Sequence, residues 1–190
     1  MLVAQSACLR ACWRDAADPA ACTAPDGPGV ATCLARTRAR ATPAVFTDAC
    51  TRACPACYDG CTPGVAAGEV AWTSTQVAAF AALVGCAAAV PPPEARCRDA
   101  VARTAAWFGR ARGRCFTRAH LRDGSGAAAP TGRTVACADA AARRAARIID
   151  RRCAVARPAC FGALDGRAWT GLVGAALDAG RPVIFCGGDA

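Results

Sequence analysis

Apolar residues recur every three or four positions through the second half of the chain, which is the period of an α-helix. One such stripe consists of Cys97, Val101, Ala105, Phe108, Ala111 or Arg112, and Cys115. It predicts a helix from Pro93 to about Leu121, because proline suits a first helical position. A second stripe consists of Cys137, Ala141, Ala145 and Ile148. It predicts a helix over about 134–152, after a glycine-rich loop at 123–132.

Two more helices are predicted from the same period. The first covers 73–90, with Thr73, Ser74 or Thr75 as its N-cap. Its apolar side consists of Val77, Phe80, Val84 and Ala87. Residues 70–90 carry no charge, which suggests a membrane span, but their alanine and hydroxyl content favours a buried helix. The second is a short amphipathic helix that begins near Trp169 and ends near Gly180.

The 15 cysteines in 190 residues constrain how these helices pack. Cys97 and Cys115 share a helix face but lie about 27 Å apart along the axis, too far to bond each other. Folding the chain at the glycine-rich loop nests Cys97 with Cys153 and Cys115 with Cys137. The spacing therefore predicts an antiparallel hairpin with a disulfide bond at each end.

The N-terminal cysteines can also be paired about a common turn. Cys8 with Cys54 and Cys12 with Cys50 share the midpoint 31, and Cys22 with Cys33 closes the loop between them. This double CxxxC spacing resembles that of the α-hairpinins, and other partners stay open.

The last helix is bracketed by Cys160 and Cys186, which are predicted to pair. Cys57 and Cys61 complete the candidates for disulfide bonds. An odd count leaves one cysteine over, and Cys86 is the candidate for a free or intermolecular thiol because its helix offers no evident partner.

Composition explains why cross-links are needed. Alanine supplies about a quarter of the chain, and alanine buries little apolar area per residue. We therefore expect an all-α, disulfide-stapled small bundle of antiparallel helical hairpins, made in an oxidising extracellular or periplasmic compartment. Three units are expected: a cysteine-rich hairpin at 1–63, a neutral linker and helix at 64–92, and a basic hairpin with a short helix at 93–190. Residues 1–7 lack the basic and apolar regions of a signal peptide, so a longer leader is expected to include or precede this start.

The net charge of +9 is concentrated in one segment. Residues 94–157 carry fifteen arginines against five acids, and the chain contains no lysine. The arginines expected on the outer side of the second hairpin helix are Arg143, Arg144, Arg147, Arg151 and Arg152. Arg110, Arg112, Arg114 and Arg118 crowd the end of the first, where Trp107 and Phe116 could stack. The pattern favours an anionic polymer or cell surface as partner, although no nucleic-acid motif is present. The alternative is a solvated arginine face enlarged by the codon bias of a GC-rich genome.

Two cysteine motifs suggest other chemistry. Cys54-Pro55-Ala56-Cys57 has the form of a thiol–disulfide oxidoreductase site, but no βαβ pattern surrounds it, so a structural bridge is favoured. Cys50, Cys54, Cys57 and Cys61 would share one helix face and suit Cu(I). In this they resemble the cysteine-lined helices of bacterial copper storage proteins, although Pro55 interrupts the stripe. The favoured interpretation is therefore a protein without a cofactor, and the alternative is a protein that binds copper.

Catalytic constellations are weakly represented. The single histidine, His120, has no neighbouring serine or acid pattern, and a surface role is favoured for it. A non-enzymatic role is therefore preferred to catalysis.

From Cys97 to Cys186 the sequence segments around the cysteines resemble a known recurrent pattern. The segments CRDAVAR, RIIDRRC and a closing CGG resemble a Cys-patterned helical repeat of uncharacterised secreted proteins from GC-rich, deltaproteobacterial-type bacteria, over about residues 94–188. The resemblance implies export and disulfide bonds, and it implies no activity. The sequence thus predicts an exported structural or binding protein of the cell envelope or exterior, with Cu(I) storage and then thiol oxidoreduction as alternatives.

Overall fold

The computed structural model describes residues 2–16, 19–22, 27–45, 63–86, 90–123 and 131–179. Over these ranges the chain is all-helical and contains no strand. The helices are α1 (Leu2–Asp15), α2 (Ala31–Val45), α3 (Pro63–Gly85), α4 (Pro92–Asp123), α5 (Gly132–Cys153) and α6 (Gly166–Ala179). Short 3-10 turns lie at Pro19–Cys22 and Ala159–Phe161. The predicted fold class, a small disulfide-bonded helical bundle, is confirmed.

An antiparallel hairpin of α4 and α5 organises the bundle. Cys97 is bonded to Cys153 and Cys115 to Cys137, the two pairs that the nested spacing predicts, with Cα atoms 4.8 and 5.9 Å apart. The stripe expected on α4 is buried, with Cys97, Val101 and Phe108 at most 1% exposed. The two bridges hold the helices together at both ends of their contact.

The buried side of α5 is displaced around the helix from its predicted stripe. Ala145 is buried as expected, whereas Cys137, Ala141 and Ile148 are only half-buried. The buried residues are Thr134, Ala138, Ala145, Ile149 and Cys153. The difference arises because α5 packs against α6 as well as α4.

The N-terminal pairing expected from the shared midpoint is wrong. Cys8 is bonded to Cys33 rather than Cys54, and Cys12 to Cys22 rather than Cys50. The pairing of Cys22 with Cys33 is therefore also wrong. The physical reason is an early chain reversal: the amide of Gly29 donates to the Ala21 carbonyl at 3.0 Å, and that of Val30 to the Gly27 carbonyl at 3.0 Å. The chain thus returns along α1 well before residue 50.

Cys86 is not a free thiol. It is bonded to Cys160, 74 residues away, so the predicted pairing of Cys160 with Cys186 is wrong as well. Cys86 follows the last residue of α3 and has a φ of 51°, the left-handed conformation in which helices commonly end. Its side chain is 9% exposed because this turn brings it into the core.

α3 begins about ten residues earlier than the predicted N-cap. Ser74 and Thr75 lie inside the helix, where their hydroxyls donate to the carbonyls of Val70 at 2.8 Å and Ala71 at 3.2 Å. Hydroxyl residues can bond back to the preceding turn in this way, so they do not mark a helix start by themselves. None of the helices in the described ranges, α3 included, is long and apolar enough to cross a membrane.

One apolar core is shared by all six helices or their flanking turns. Trp169 of α6 lies at its centre, 1% exposed, with its ring edge-on to Phe161 at 5.0 Å and to Phe80 at 5.7 Å. Leu172, on the same helix, is 42% exposed. α1 completes the core through Leu9 and packs mainly against α4. One side of α4 is thereby left open to solvent.

Candidate anion-binding surface

The open side of α4 carries a row of arginines beside Trp107. At about 100° per residue, Trp107, Arg110, Arg114 and Arg118 fall within about 80° of one another. The three arginines are exposed, and Trp107 is half-buried. They lie on the outer side of the helix because Cys97 and Cys115, about 100° away, are bonded to α5.

α5 presents a matching row on the same side of the hairpin. Arg133, Arg144, Arg147 and Arg151 are all exposed and fall within about 60° of one another. The two rows meet where the Arg144 guanidinium lies over the Trp107 ring, 5.3 Å from its centroid. We call these seven arginines together with Trp107 the basic seam.

A groove of about 340 Å³ runs along the middle of the seam. Its floor is small and apolar, made by alanines and the Cys115–Cys137 bridge, while Trp107 and three arginines form its walls. The lining residues are Trp107, Ala111, Arg114, Cys115, Arg118, Cys137, Ala140, Ala141 and Arg144. The bridge holds the walls at a fixed separation, so the groove is built into the fold.

No seam arginine forms an ion pair within the described part of the chain. The acids of α5 lie elsewhere on the helix: Asp139 is about 140° from Arg144, and Asp150 accepts a hydrogen bond from the Gly166 amide at 2.7 Å. Among the described residues the seam is therefore a surface of uncompensated positive charge. An isolated exposed arginine is unremarkable, but seven in two adjacent rows create a field that attracts polyanions.

The predicted anion-binding residues are mostly brought together. Arg144, Arg147 and Arg151 belong to the seam, and Arg143 lies at its edge, all exposed. Arg152 is exposed too, but it lies about 100° round the helix from Arg151 and does not share the surface.

Two residues that were expected to join them have other roles. Arg112 donates to both carboxylate oxygens of Asp178 at 2.7 and 2.8 Å, which fastens α6 to α4. Its guanidinium also lies over the Phe116 ring at 5.3 Å, so Phe116 packs with Arg112 rather than with the seam.

A second cluster of arginines was not anticipated. Arg98 is 5% exposed and lies between α1 and α4, with its guanidinium 5.3 Å from the centre of the Trp13 ring. A signal for it is present in the sequence: by helical geometry Arg98 falls about 20° from Ala105 and 60° from Val101, inside the apolar arc of α4. An arginine at such a position is either covered by a partner or buried at a cost.

The candidates for metal and thiol chemistry lie outside the described residues. This holds for Cys50, Cys54, Cys57 and Cys61, for Cys186, and for the side chain of His120. The ten cysteines in the described ranges are all in disulfide bonds. Among the residues that the structure covers, no group of three or more His, Cys, Asp or Glu side chains could hold a metal ion.

The seam is thus the site that both sequence and structure single out. It offers exposed guanidinium donors, an apolar floor and one aromatic ring, a combination suited to binding anions. No family model, curated protein or solved structure matches this chain.

Proposed function

We propose that this protein is a non-enzymatic, exported binding module of the cell envelope or exterior that contacts an anionic polymer or surface through the basic seam. The observation that supports it is the seam itself, seven exposed arginines without a carboxylate partner in the described ranges.

Arginine suits this role physically. A guanidinium stays charged, presents several N–H donors in a plane and pairs with sulfate, phosphate or carboxylate oxygens. Along an extended polyanion, successive anionic groups could pair with successive arginines over the length of the hairpin. From Arg110 to Arg118 alone, α4 spans about 12 Å, and Arg133 to Arg151 on α5 spans about 27 Å.

Export is supported by the covalent structure. Five disulfide bonds join described cysteines: two tie α1 to the turn and helix that follow it, one ties the end of α3 to the turn before α6, and two tie α4 to α5. Such cross-linking is typical of proteins that fold in an oxidising compartment. A small alanine-rich core gains most from such bonds, so their presence also suits an extracellular or periplasmic protein.

Retention on immobilised heparin tests the proposal. The native protein is expected to bind at low salt and to elute as salt rises, because screening weakens exposed charge interactions. Arg114→Gln/Arg144→Gln removes two charges from the walls of the groove, and we expect it to elute at clearly lower salt.

The matched control is Arg36→Gln/Arg40→Gln, which removes the same charge from exposed positions on α2. It should elute close to the native protein. If both variants shift equally, retention follows net charge alone and the seam is not the site. If the native protein is not retained even at low salt, the proposed function fails.

A further inference from the structure

The cavity beside Arg98 is separate from the seam. It lies between α1 and the N-terminal part of α4 and has a volume of about 600 Å³, within the roughly 300–1,000 Å³ usual for small-molecule pockets. Among the described residues, five arginines line it, against a single carboxylate, Asp99. These arginines are Arg10, Arg14, Arg96, Arg98 and Arg103.

Arg98 is a buried cation with poor compensation. Its Nη1 donates to the Gly85 carbonyl at 3.4 Å and its Nη2 to the Trp13 carbonyl at 3.3 Å, both longer than usual for such bonds. Its Nε has no hydrogen-bond partner, and no carboxylate lies within ion-pair distance of it in the described ranges. Burial accordingly lowers the pKa of Arg98. A buried charge of this kind costs free energy unless an opposite charge approaches it.

Asp99 cannot neutralise the cluster alone. One of its oxygens accepts a hydrogen bond from Arg10 at 3.3 Å, and the other forms an ion pair with Arg103 at 2.8 Å. Arg14 forms an ion pair with Asp15, which does not line the cavity. Arg96 is exposed at the rim and makes no ion pair within the described part of the chain.

The backbone adds to the positive field. Pro92, Ala95 and Arg96 belong to the first turns of α4 and also line the cavity. The start of a helix carries a partial positive charge, which favours an anion placed against it. The charge of the side chains and the orientation of the helix therefore act in the same direction.

We propose that this cavity binds the phosphoryl group of a small phosphorylated molecule or of a lipid headgroup. A phosphoryl group carries up to two negative charges and several acceptor oxygens, which matches a cavity whose described lining holds five arginines and one carboxylate. The cavity is larger than one phosphate ion requires, so an organic group attached to the phosphate fits within it. This site uses none of the seam arginines, and its occupancy does not depend on the proposed function.

Calorimetric titration with inorganic phosphate tests the site, at constant ionic strength and with chloride as the reference anion. Native protein is expected to bind phosphate saturably at one site. Arg96→Gln removes a rim cation that supports no packing, and we expect about tenfold weaker binding, as for loss of one charged hydrogen bond. Asp99→Asn removes the competing carboxylate, and we expect binding several-fold tighter.

Arg36→Gln on the exposed side of α2, outside both the cavity and the basic seam, is the matched control and should leave phosphate affinity unchanged. Arg98→Met removes the buried cation itself. If that variant does not fold, Arg96→Gln and Asp99→Asn still test whether the cavity binds phosphate. Absence of saturable binding by the native protein overturns the proposal. So does an unchanged affinity in both Arg96→Gln and Asp99→Asn.

Two further titrations identify the source of the phosphoryl group. Glycerol phosphate represents a soluble ligand, and vesicles of phosphatidylglycerol in phosphatidylcholine represent a headgroup. Tighter binding of glycerol phosphate than of inorganic phosphate supports a soluble molecule. Preference for the vesicles, lost in Arg96→Gln but kept in Arg147→Gln, supports a headgroup. Loss in Arg147→Gln alone would instead assign vesicle binding to the seam and overturn the cavity as its site.

Discussion

Removal of the Cys97–Cys153 bridge is the sharpest test of how the hairpin is held together. The pair closes a loop of 56 residues, but the inner Cys115–Cys137 bridge shortens the path between them. The Cys86–Cys160 bridge outside the pair leaves a still shorter path, from Cys86 to Cys97 and from Cys153 to Cys160, about 18 residues. The chain-entropy relation for a loop of this length gives about 3 kcal/mol of stabilisation.

Cys97→Ala/Cys153→Ala is therefore expected to lower the free energy of unfolding by about 3 kcal/mol, a large fraction of the roughly 5–15 kcal/mol usual for a domain. Both side chains are at most 3% exposed, so small cavities add to the loss. Urea unfolding under non-reducing conditions measures it. The dependence of the free energy on urea should also steepen, because the unfolded chain without the bridge exposes more surface.

Cys115→Ala/Cys137→Ala is the comparison, with a 22-residue loop and an expected loss of about 3 kcal/mol. A loss below about 1 kcal/mol for the Cys97–Cys153 variant would refute the reasoning, since the chain-entropy relation gives about 3 kcal/mol for this loop. A full loss with an unchanged urea dependence would place the effect in native packing rather than in the unfolded chain.

Two further variants test the attachment of α6. Gly166→Ala should destabilise the protein by about 1–3 kcal/mol in urea unfolding, because a Cβ there would overlap a backbone carbonyl of α5. Gly171→Ala is the control and should be neutral or stabilising, because a Cβ at Gly171 would have no neighbouring atom within 4 Å. Asp178→Asn should cost about 1–2 kcal/mol, because it weakens the hydrogen bonds from Arg112, whose side chain is only 15% exposed. The exposed Asp15 is the control, and Asp15→Asn should cause no measurable change in the same assay.

The hairpin could be read from the sequence because its signals are local. The apolar period defines α4 and α5, and the glycine-rich stretch between them marks where the chain turns. Once an antiparallel arrangement is assumed, helical rise alone decides which of Cys97, Cys115, Cys137 and Cys153 face each other. The basic rows follow too, since they lie opposite the apolar stripe of the same helices.

The remaining pairings depend on long-range packing that spacing does not encode. The midpoint rule assumes one reversal halfway between two helices, but the turn at Gly27–Val30 comes early and delivers Cys33 to Cys8. The bond between Cys86 and Cys160 requires the end of α3 to meet the turn before α6, a contact made across 74 residues. Several pairings satisfy the same spacing, and only the packed core selects among them.

Disulfide bonds and the charge of the basic seam are physically linked. Seven arginines along two adjacent helices repel one another, and this repulsion opposes the contact between α4 and α5. Alanine-rich helix faces gain little free energy on burial, so apolar packing alone offsets only a small part of that repulsion. Bridges at both ends hold the helices together without using the outer surface, which leaves it available for charge. It follows that the stability lost in Cys97→Ala/Cys153→Ala should be partly restored by salt, which screens the exposed arginines, and more so than in the native protein.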